Sequence, residues 1–220
     1  MKKVTRSVSV LVAYFPGTNC EEETMAAFKL AGAKNVKLAF IDDLRSGKIK
    51  ATDCDIFCFC GGFSYGDNIS TGIIAAIKSR DIVAQLKESR IPVGGICNGF
   101  QEMARLGMFG TSVTLAQNIC HTFRSWPVLH RVERSNCIWT GGLEGKTLAF
   151  PSAHGYGRVV YVDQQPNIVL TYASESPNGG DIAGICSDDG LDFGLMDHPE
   201  RPYGNPDGLK IFRNIILAVG

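Results

Sequence analysis

The first half of the chain alternates continuous apolar runs with segments in which apolar residues recur at helical spacing. Continuous short runs are typical of strands buried on both faces, and longer periodic segments are typical of helices. The first helix is predicted to begin at a capping box, Thr18-Asn19-Cys20-Glu21, and to stop at Gly32. Strands are predicted at residues 8–15, 36–41, 56–60 and 92–96, and helices at about 21–30, 72–88 and 100–106.

The pattern changes after residue 118, where short apolar segments are separated by Gly, Pro, Asn and Asp. Their close spacing predicts hairpins, so antiparallel strands are expected to extend or flank a parallel sheet. The predicted fold class is α/β, an open and mostly parallel sheet with helices on both faces, in a single domain over residues 1–220. Strands are predicted at residues 128–132, 147–150, 158–162, 168–172, 182–185 and 191–195, and a last helix at 207–219.

Composition and charge narrow the possible partners. Hydrophobic residues make up 45% of the 220 residues, and Lys+Arg and Asp+Glu both total 22. No net field therefore favours nucleic acid or an anionic membrane surface. No apolar run approaches the roughly 20 residues that span a bilayer, and the first strand ends at Pro16-Gly17 without a signal-type cleavage site. The chain is expected to be cytoplasmic and to bind neither nucleic acid nor membrane.

Eight cysteines raise the question of disulfides or a metal site. Most of them lie in apolar runs, and a chain with a full core is expected to keep such thiols buried and reduced. Cys54, Cys58 and Cys60 share one strand parity, which leaves a metal site open. No Cys-x-x-Cys pair or nearby histidine supports such a site, so no metal is expected.

The strongest chemical signal is Gly-Ile-Cys-Asn-Gly at residues 95–99, between a predicted strand and a predicted helix. Flanking glycines allow a tight bend and keep the space around a nucleophile clear. The helix N-terminus directs free N–H groups at the sulfur and favours a thiolate. Cys97 is therefore a candidate nucleophile. The alternative is a tight turn that holds a buried thiol.

Two other strand ends supply the groups that such a nucleophile needs. Gly61-Gly62 follows a buried strand, and the N–H groups of Gly62 and Asn98 are candidate donors to an oxyanion. His198 follows the predicted strand at 191–195, with Glu200 close enough to orient its imidazole. These would be the base and the third member of a nucleophile triad. In each case the alternative is an ordinary loop.

Residues 151–158 form a third candidate segment, Pro-Ser-Ala-His-Gly-Tyr-Gly-Arg. A loop this rich in glycine can bring backbone polar groups close to a small polar ligand, and a structural hairpin turn is the alternative. His121 and His130 lie in less distinctive surroundings and are interpreted as structural or surface groups.

Together these segments resemble the class I glutamine amidotransferases, whose glutaminase domain carries G-x-C-x-G-x-Q and H-x-E signatures. Gly-Ile-Cys-Asn-Gly-Phe-Gln at 95–101 and His-Pro-Glu at 198–200 match both signatures. Further segments occur in family order from residue 15 to residue 201, nearly the whole chain. They are most similar to the glutaminase subunits that serve purine biosynthesis. The further segments are residues 15–20, 61–67, 153–155, 177–179, 182–185 and 198–201.

The resemblance implies a flavodoxin-like sheet and a glutaminase that releases ammonia from L-glutamine. It assigns Cys97 as nucleophile, His198 as base and acid, and Glu200 as its orienter, with Gly62 and Asn98 at the oxyanion hole. It implies glutamine-binding positions at residues whose backbone groups are expected to matter more than their side chains: Gln101, His154, Gly155 and Tyr156. The segments show no Gly-x-x-x-x-Gly-Lys-Ser/Thr run, so this chain is expected to need no cofactor.

ATP and magnesium are expected instead in a large partner synthetase, with a small accessory subunit as a possible third component. The open alternatives are a glutaminase for a different synthetase and a non-catalytic partner domain of the same fold. A thiol redox or metal protein, suggested by the cysteines, is a further alternative.

The chain also departs from the family pattern. Asp197 stands where the family usually has proline, and it could raise the pKa of His198 or point to solvent without effect. Asn68-Ile69-Ser70 and Tyr156 also differ from common family residues, which bears on partner contacts more than on chemistry. Asn118 and Phe123 match an N-x-x-x-x-F pattern for which interface packing is the hypothesis.

Overall fold

The computed structural model describes residues 7–65, 72–201 and 206–220, in which a nine-stranded sheet runs through the centre. The strand order is β2-β1-β3-β4-β11-β10-β9-β6-β7, and β5 and β8 form a separate pair. The strands are β1 (Ser9–Tyr14), β2 (Asn35–Phe40), β3 (Ile56–Phe59), β4 (Val93–Ile96), β5 (Val113–Ala116), β6 (Pro127–Val132), β7 (Thr147–Pro151), β8 (Arg158–Tyr161), β9 (Asn167–Tyr172), β10 (Ile182–Cys186) and β11 (Phe193–Leu195). The helices are α1 (Glu21–Ala31), α2 (Ile41–Arg45), α3 (Ile73–Glu88), α4 (Asn98–Arg105) and α5 (Leu209–Val219), with a 3-10 turn at Pro206–Gly208.

The sheet has a parallel half and an antiparallel half, which confirms the predicted fold class. β2, β1, β3, β4 and β11 pair in parallel, and β10, β9, β6 and β7 continue the sheet in antiparallel pairs. The β5–β8 pair flanks it. The register aligns Ile96 at the end of β4 with Leu195 at the end of β11. Because parallel strands place their carboxyl ends at one edge, the residues after β4 and β11 are neighbours.

Helices cover both faces of the parallel half. α1 and α5 pack together, with the rings of Phe28 and Phe212 at 4.8 Å in an edge-to-face arrangement. α3 and α4 are joined by a hydrogen bond of 2.5 Å from the Ser79 hydroxyl to the Glu102 carboxyl group. Every position of β3 and of β4 is buried, as the continuous apolar runs predict.

Three local predictions were wrong or incomplete. Thr18 does not cap α1, because its hydroxyl bonds the backbone of Phe15 and the N-cap position is Cys20, without a side-chain cap. Ile41 begins α2, a short helix that was not predicted, because Ile41 was assigned to the end of the strand at 36–41. β5 was not predicted, since its pairing with β8 is a contact between distant parts of the chain. The stop of α1 at Gly32 is confirmed, with φ of 116° at that residue.

Two motif segments fall outside the described part of the chain. Gly66 and Asp67, which end the segment at 61–67, lie there, as do the family departures at 68–70. Within the described segments, no helix has both the length and the apolar character required to cross a membrane.

Three glycines let α4 sit directly on the sheet. A Cβ on Gly99 would collide with the backbone carbonyl of Phe59, one on Gly95 with the Met103 sulfur, and one on Gly194 with the Phe100 ring. The helix that carries the elbow therefore approaches β3, β4 and β11 more closely than any side chain at these positions would allow. This close approach sets the position of Cys97 at the edge of the sheet.

We expect Gly99→Ala to lower the free energy of unfolding by about 3 kcal/mol, because neither the helix backbone nor the Phe59 carbonyl can move aside freely. Urea denaturation measures the change. Gly141→Ala is the matched control, since the nearest atom to a Cβ there is 3.9 Å away. Equal stability of the two variants would contradict the close approach of α4.

Candidate active site

The elbow places Cys97 between β4 and α4 in a conformation that few non-glycine residues adopt. Its φ is 51° and its ψ is −108°, and it occupies the N-cap position of α4. Its N–H donates to the Leu195 carbonyl at 2.7 Å, so the bend is tied to the end of β11. Strained backbone of this kind persists where the surroundings impose it, and it projects the side chain away from the sheet edge.

Cys97 and His198 line one small pocket of about 140 Å³, together with Gly62. Because Gly61 has no side chain, the space between Cys97 and His198 stays open. A Cβ at this position would lie 3.2 Å from the His198 Cε1 atom and 3.4 Å from the Cys97 Cβ atom. The structure therefore brings together the two groups that lie 101 residues apart in the sequence. Both side chains are buried.

Glu200, the third predicted member of the triad, contacts His198. The Nδ1 atom of His198 lies 2.7 Å from the Glu200 Oε1 atom, with both side chains buried. Burial opposes the charged imidazolium, but the Glu200 carboxylate and the Cys97 thiolate outweigh it, so the pKa of His198 is raised well above its usual range. The carboxylate holds the Nδ1–H in place and leaves Nε2 to exchange a proton within the pocket.

Of the two residues predicted at the oxyanion hole, Gly62 lines this pocket and Asn98 directly follows Cys97, which lines it. Asn98 is the first residue of α4, where N–H groups have no partner within the helix. Gly62 lines the pocket and has φ of 127°, which favours glycine. The Asn98 side chain links the two loops, because its Oδ1 atom accepts the Ser64 N–H at 3.1 Å.

The four predicted glutamine-binding residues lie beside the pocket and are not among its lining, to which their loop contributes Ala153. Gln101 accepts from the Asn98 side chain at 3.0 Å and donates to the Tyr156 carbonyl at 2.8 Å. The Gly155 carbonyl accepts the Asn118 N–H at 2.9 Å. His154 is buried against Asn118 and Asp197. The side chains of Gln101 and His154 therefore help to position the loop at 152–157.

Sequence reasoning assigned no role to five residues that line the pocket, namely Asn19, Cys20, Phe63, Ala153 and Arg201. Cys20 is buried beside His198 and accepts a hydrogen bond of 3.1 Å from Arg201. Arg201 also pairs with Glu23 at 2.9 Å. Ala153 places its carbonyl 3.8 Å from the Cys97 sulfur. The available signal was position, because Cys20, Ala153 and Arg201 each belong to a segment that matches the family.

The two residues of the N-x-x-x-x-F pattern, Asn118 and Phe123, lie in or next to the pocket lining. Phe123 lines the pocket and is half exposed. Asn118 is buried, and its amide donates to the carbonyls of His154 at 2.9 Å and Thr122 at 3.3 Å. The pair therefore shapes the pocket wall.

One expectation about Asp197 was wrong. Its side chain is fully buried and does not point to solvent, since Oδ2 lies 2.8 Å from the Nε2 atom of His130. His130 is structural, as predicted, and its ring stacks on Phe150 at 3.8 Å.

The remaining thiols are interpreted as core groups. Burial raises the pKa of the Cys54 thiol to about 12 and raises that of Cys58 further, so both are neutral. Among the described residues, the group able to offer three metal-ligand atoms within 4.8 Å of one another is Cys20, His198 and Glu200, which the His198–Glu200 bond already engages. A larger groove of about 690 Å³ runs along α3 and is lined by apolar, arginine and lysine side chains. Its described lining contains no cysteine, serine, histidine or carboxylate that could act as nucleophile or general base.

The strand-end cysteine, the carboxylate-held histidine and the sheet order define an amidotransferase-type glutaminase site. Residues 7–206 match the sequence profile of the CobB/CobQ-like glutamine amidotransferase domain. The chain belongs to this family and is a glutamine amidotransferase, which confirms the resemblance found in the sequence.

Particular relatives carry the comparison further. The chain is 38% identical to phosphoribosylformylglycinamidine synthase subunit PurQ of Methanococcus maripaludis, covering 91% of this chain and 84% of the relative. It is 32% identical to the PurQ subunit of Archaeoglobus fulgidus, covering 95% and 96%. Its fold matches a chain in the structure of PurLQS from Thermotoga maritima with a TM-score of 0.87, at 32% identity over 98% of this chain and 100% of that chain.

Proposed function

We propose that this chain is the glutaminase subunit of phosphoribosylformylglycinamidine synthase and hydrolyses L-glutamine through Cys97. The observation that carries the proposal is the placement of Cys97 and His198 in one pocket, with His198 held by Glu200 at 2.7 Å. Several PurQ subunits share this length and are at least 30% identical over nearly the whole chain, which supports the choice of synthase.

The proposed chemistry begins with transfer of the Cys97 thiol proton to His198, which the raised pKa of His198 favours. The sulfur attacks the side-chain carbonyl carbon of glutamine, and the carbonyl oxygen becomes an oxyanion. The N–H groups of Gly62 and Asn98 are the proposed donors to that oxygen. His198 then gives its proton to the leaving nitrogen, so that the C–N bond breaks and ammonia departs.

The product at this stage is a γ-glutamyl thioester on Cys97. A water molecule that gives its proton to His198 attacks the thioester carbonyl, and glutamate leaves as the Cys97 thiol is restored. Ammonia must reach an acceptor before water protonates it, because ammonium has no free electron pair to attack with. A partner that receives the ammonia is therefore part of the proposal.

The proposed partner is a large ATP-dependent synthetase, with a small accessory subunit as a possible third chain. The structure of PurLQS from Thermotoga maritima, which contains a chain of the same fold, supports such an assembly. We propose that ATP and magnesium act in the synthetase, which uses ammonia to form the amidine of formylglycinamidine ribonucleotide. On this proposal the chain itself needs no cofactor.

Two measurements test the proposal together. A glutamine-analogue diazoketone is expected to alkylate Cys97 stoichiometrically, and excess L-glutamine is expected to slow the reaction. Affinity capture from the source cells is expected to recover a large ATP-dependent synthetase. Alkylation without glutamine protection would contradict the glutaminase assignment, and capture of a different synthetase would replace the proposed partner. Cys54→Ala is the control that keeps full labelling.

A further inference from the structure

A cluster of buried ionisable groups lies behind the pocket and takes no part in the proposed chemistry. Asp197 is fully buried, with its Oδ2 atom 2.8 Å from the His130 Nε2 atom and its Oδ1 atom 3.4 Å from the His154 Nε2 atom. Burial and the nearby Asp197 charge raise the pKa of the Tyr172 hydroxyl. The Asp197 Oδ1 and His154 Nε2 atoms lie at ion-pair distance from each other, and neither has a hydrogen-bond partner among the described residues.

The tautomer of His154 follows from its other neighbour. The Asn118 amide nitrogen donates to two carbonyls, and its Oδ1 atom accepts the Gly157 N–H at 3.2 Å. This network assigns the oxygen to the position that faces His154. The His154 Nδ1 atom, 3.3 Å away, must therefore be the donor. A neutral His154 would then present a lone pair from Nε2 to a carboxylate oxygen, which is repulsive.

The tautomer of His130 follows in the same way. Its Nδ1 atom is buried and has no partner among the described residues, so an N–H there would be left unsatisfied. The proton therefore sits on Nε2 and is donated to Asp197 at 2.8 Å, with the ring neutral. Burial raises the pKa of the Asp197 carboxyl, but His130 and His154 outweigh it and lower that pKa. With Asp197 ionised, a proton on the His154 Nε2 atom makes the contact between these two side chains attractive.

The loop that carries His154 forms the wall opposite the nucleophile. The Ala153 carbonyl lies 3.8 Å from the Cys97 sulfur, and the Tyr156 carbonyl accepts from Gln101 of α4 at 2.8 Å. Asp197 lies at ion-pair distance from His154, which belongs to the same loop as these two carbonyls, and it directly precedes His198. Its charge therefore connects the loop at 152–157 to the strand end that carries the base.

We propose that Asp197 is a positioning residue for glutamine, acting through His154 to hold the loop at 152–157 against Cys97. The proposal rests on the proposed glutaminase function. It concerns substrate affinity rather than bond cleavage, since Asp197 contacts neither the nucleophile nor the space in which the amide would lie. Neither Asp197 nor His130 belongs to the G-x-C-x-G-x-Q or H-x-E signature that carries the proposed chemistry.

The test compares two replacements of Asp197 in the full chain assembled with its synthetase. Asp197→Ala is expected to raise the KM for glutamine about 10- to 100-fold and to change kcat less than threefold, since a charge-assisted bond that orders the loop is lost. Alkylation of Cys97 by iodoacetamide is expected to keep its wild-type rate, because the nucleophile and His198 are untouched.

Asp197→Asn provides the rescue that a merely structural role would not predict. Its amide oxygen can accept from His130 and its amide nitrogen can donate to a neutral His154, so KM is expected to return to within threefold of wild type at about pH 8.

If Asp197→Ala does not fold, Asp197→Leu takes its place, because leucine fills a similar volume and offers no acceptor to His130 or His154.

Asp192→Asn is the matched control, because Asp192 is a buried carboxyl group at the opposite end of β11 and bonds the Val93 N–H at 3.3 Å. It is expected to lower the thermal midpoint without changing KM. An unchanged KM in Asp197→Ala, or a KM in Asp197→Asn as high as that in Asp197→Ala, would overturn the positioning role. Failure of the glutaminase function is a separate result, namely wild-type glutamine hydrolysis that persists in Cys97→Ala.

Discussion

Cys97→Ala is expected to lower glutamine-dependent product formation by the assembled synthase by roughly 10⁶-fold, the scale seen when a nucleophile is removed from a triad. The sulfur forms the bond to the glutamine carbon, and no other group in the pocket stands at the same place on the elbow. Synthesis from added ammonium salt is expected to stay near the wild-type rate, because that reaction bypasses this chain. Product formation with each nitrogen source gives both numbers.

The matched controls for this prediction are two buried thiols, Cys58 in β3 and Cys54 just before it. Cys54→Ala and Cys58→Ala remove sulfur from the core without reaching the pocket, so glutamine-dependent synthesis is expected to persist at a similar rate. Loss of the ammonia-dependent reaction in Cys97→Ala would point instead to failed assembly. Glutamine hydrolysis at the wild-type rate in Cys97→Ala would refute the proposed nucleophile.

Glu200→Gln is expected to lower kcat for glutamine hydrolysis by about 10³- to 10⁴-fold with little change in KM. The carboxylate at 2.7 Å fixes the Nδ1–H of His198 and stabilises the imidazolium that forms when Cys97 loses its proton. A carboxamide has no charge to stabilise that ion, and in one orientation it favours the wrong tautomer. Steady-state kinetics of the complex separate kcat from KM.

The same variant has a predicted pH signature. Glu200 and Cys97 raise the pKa of His198 against the opposing effect of burial, so the imidazolium of the folded protein persists to higher pH. Removing the Glu200 charge lowers that pKa. The alkaline limb of kcat/KM is therefore expected to move to lower pH in Glu200→Gln. An alkaline limb that stays in place would argue that Glu200 does not act on His198.

Glu102→Gln is the matched control for this replacement. Glu102 lies on α4 and is equally buried, and burial raises its pKa to about 8, so a neutral carboxamide is close to its neutral acid form at pH 7. The variant is expected to keep kcat within a few-fold of wild type. A loss as large as that of Glu200→Gln would show that any buried glutamate near the elbow matters for folding.

Local features of the chain could be predicted from the sequence because their causes are local. The runs that became β1, β3 and β4 are continuous and apolar, and burial on both faces requires that pattern. Gly32 ends α1 because a left-handed residue is needed there. The elbow could be found for the same reason, since two glycines around Cys97 are what a strand-to-helix bend at a nucleophile requires.

The parts that could not be predicted depend on pairing between distant residues. β5 was missed because a four-residue segment becomes a strand only beside β8. The predicted capping box is absent because the Thr18 hydroxyl bonds the backbone of Phe15 instead of the start of α1. The partners of Asp197 were invisible, since His130 lies 67 residues away along the chain. Nothing in the spacing of those residues indicates that they meet.

By itself the sequence determined the nucleophile, its base and its orienter as residue types in their local contexts, and it determined the family. Only the tertiary structure decided that Cys97 and His198 share a pocket, since this requires β4 and β11 to be parallel neighbours that end at the same edge. It also decided that Cys20 and Ala153 line the same pocket, with Asp197 behind it. Side-chain chemistry and bends are properties of short segments, whereas strand order arises from packing of the whole sheet.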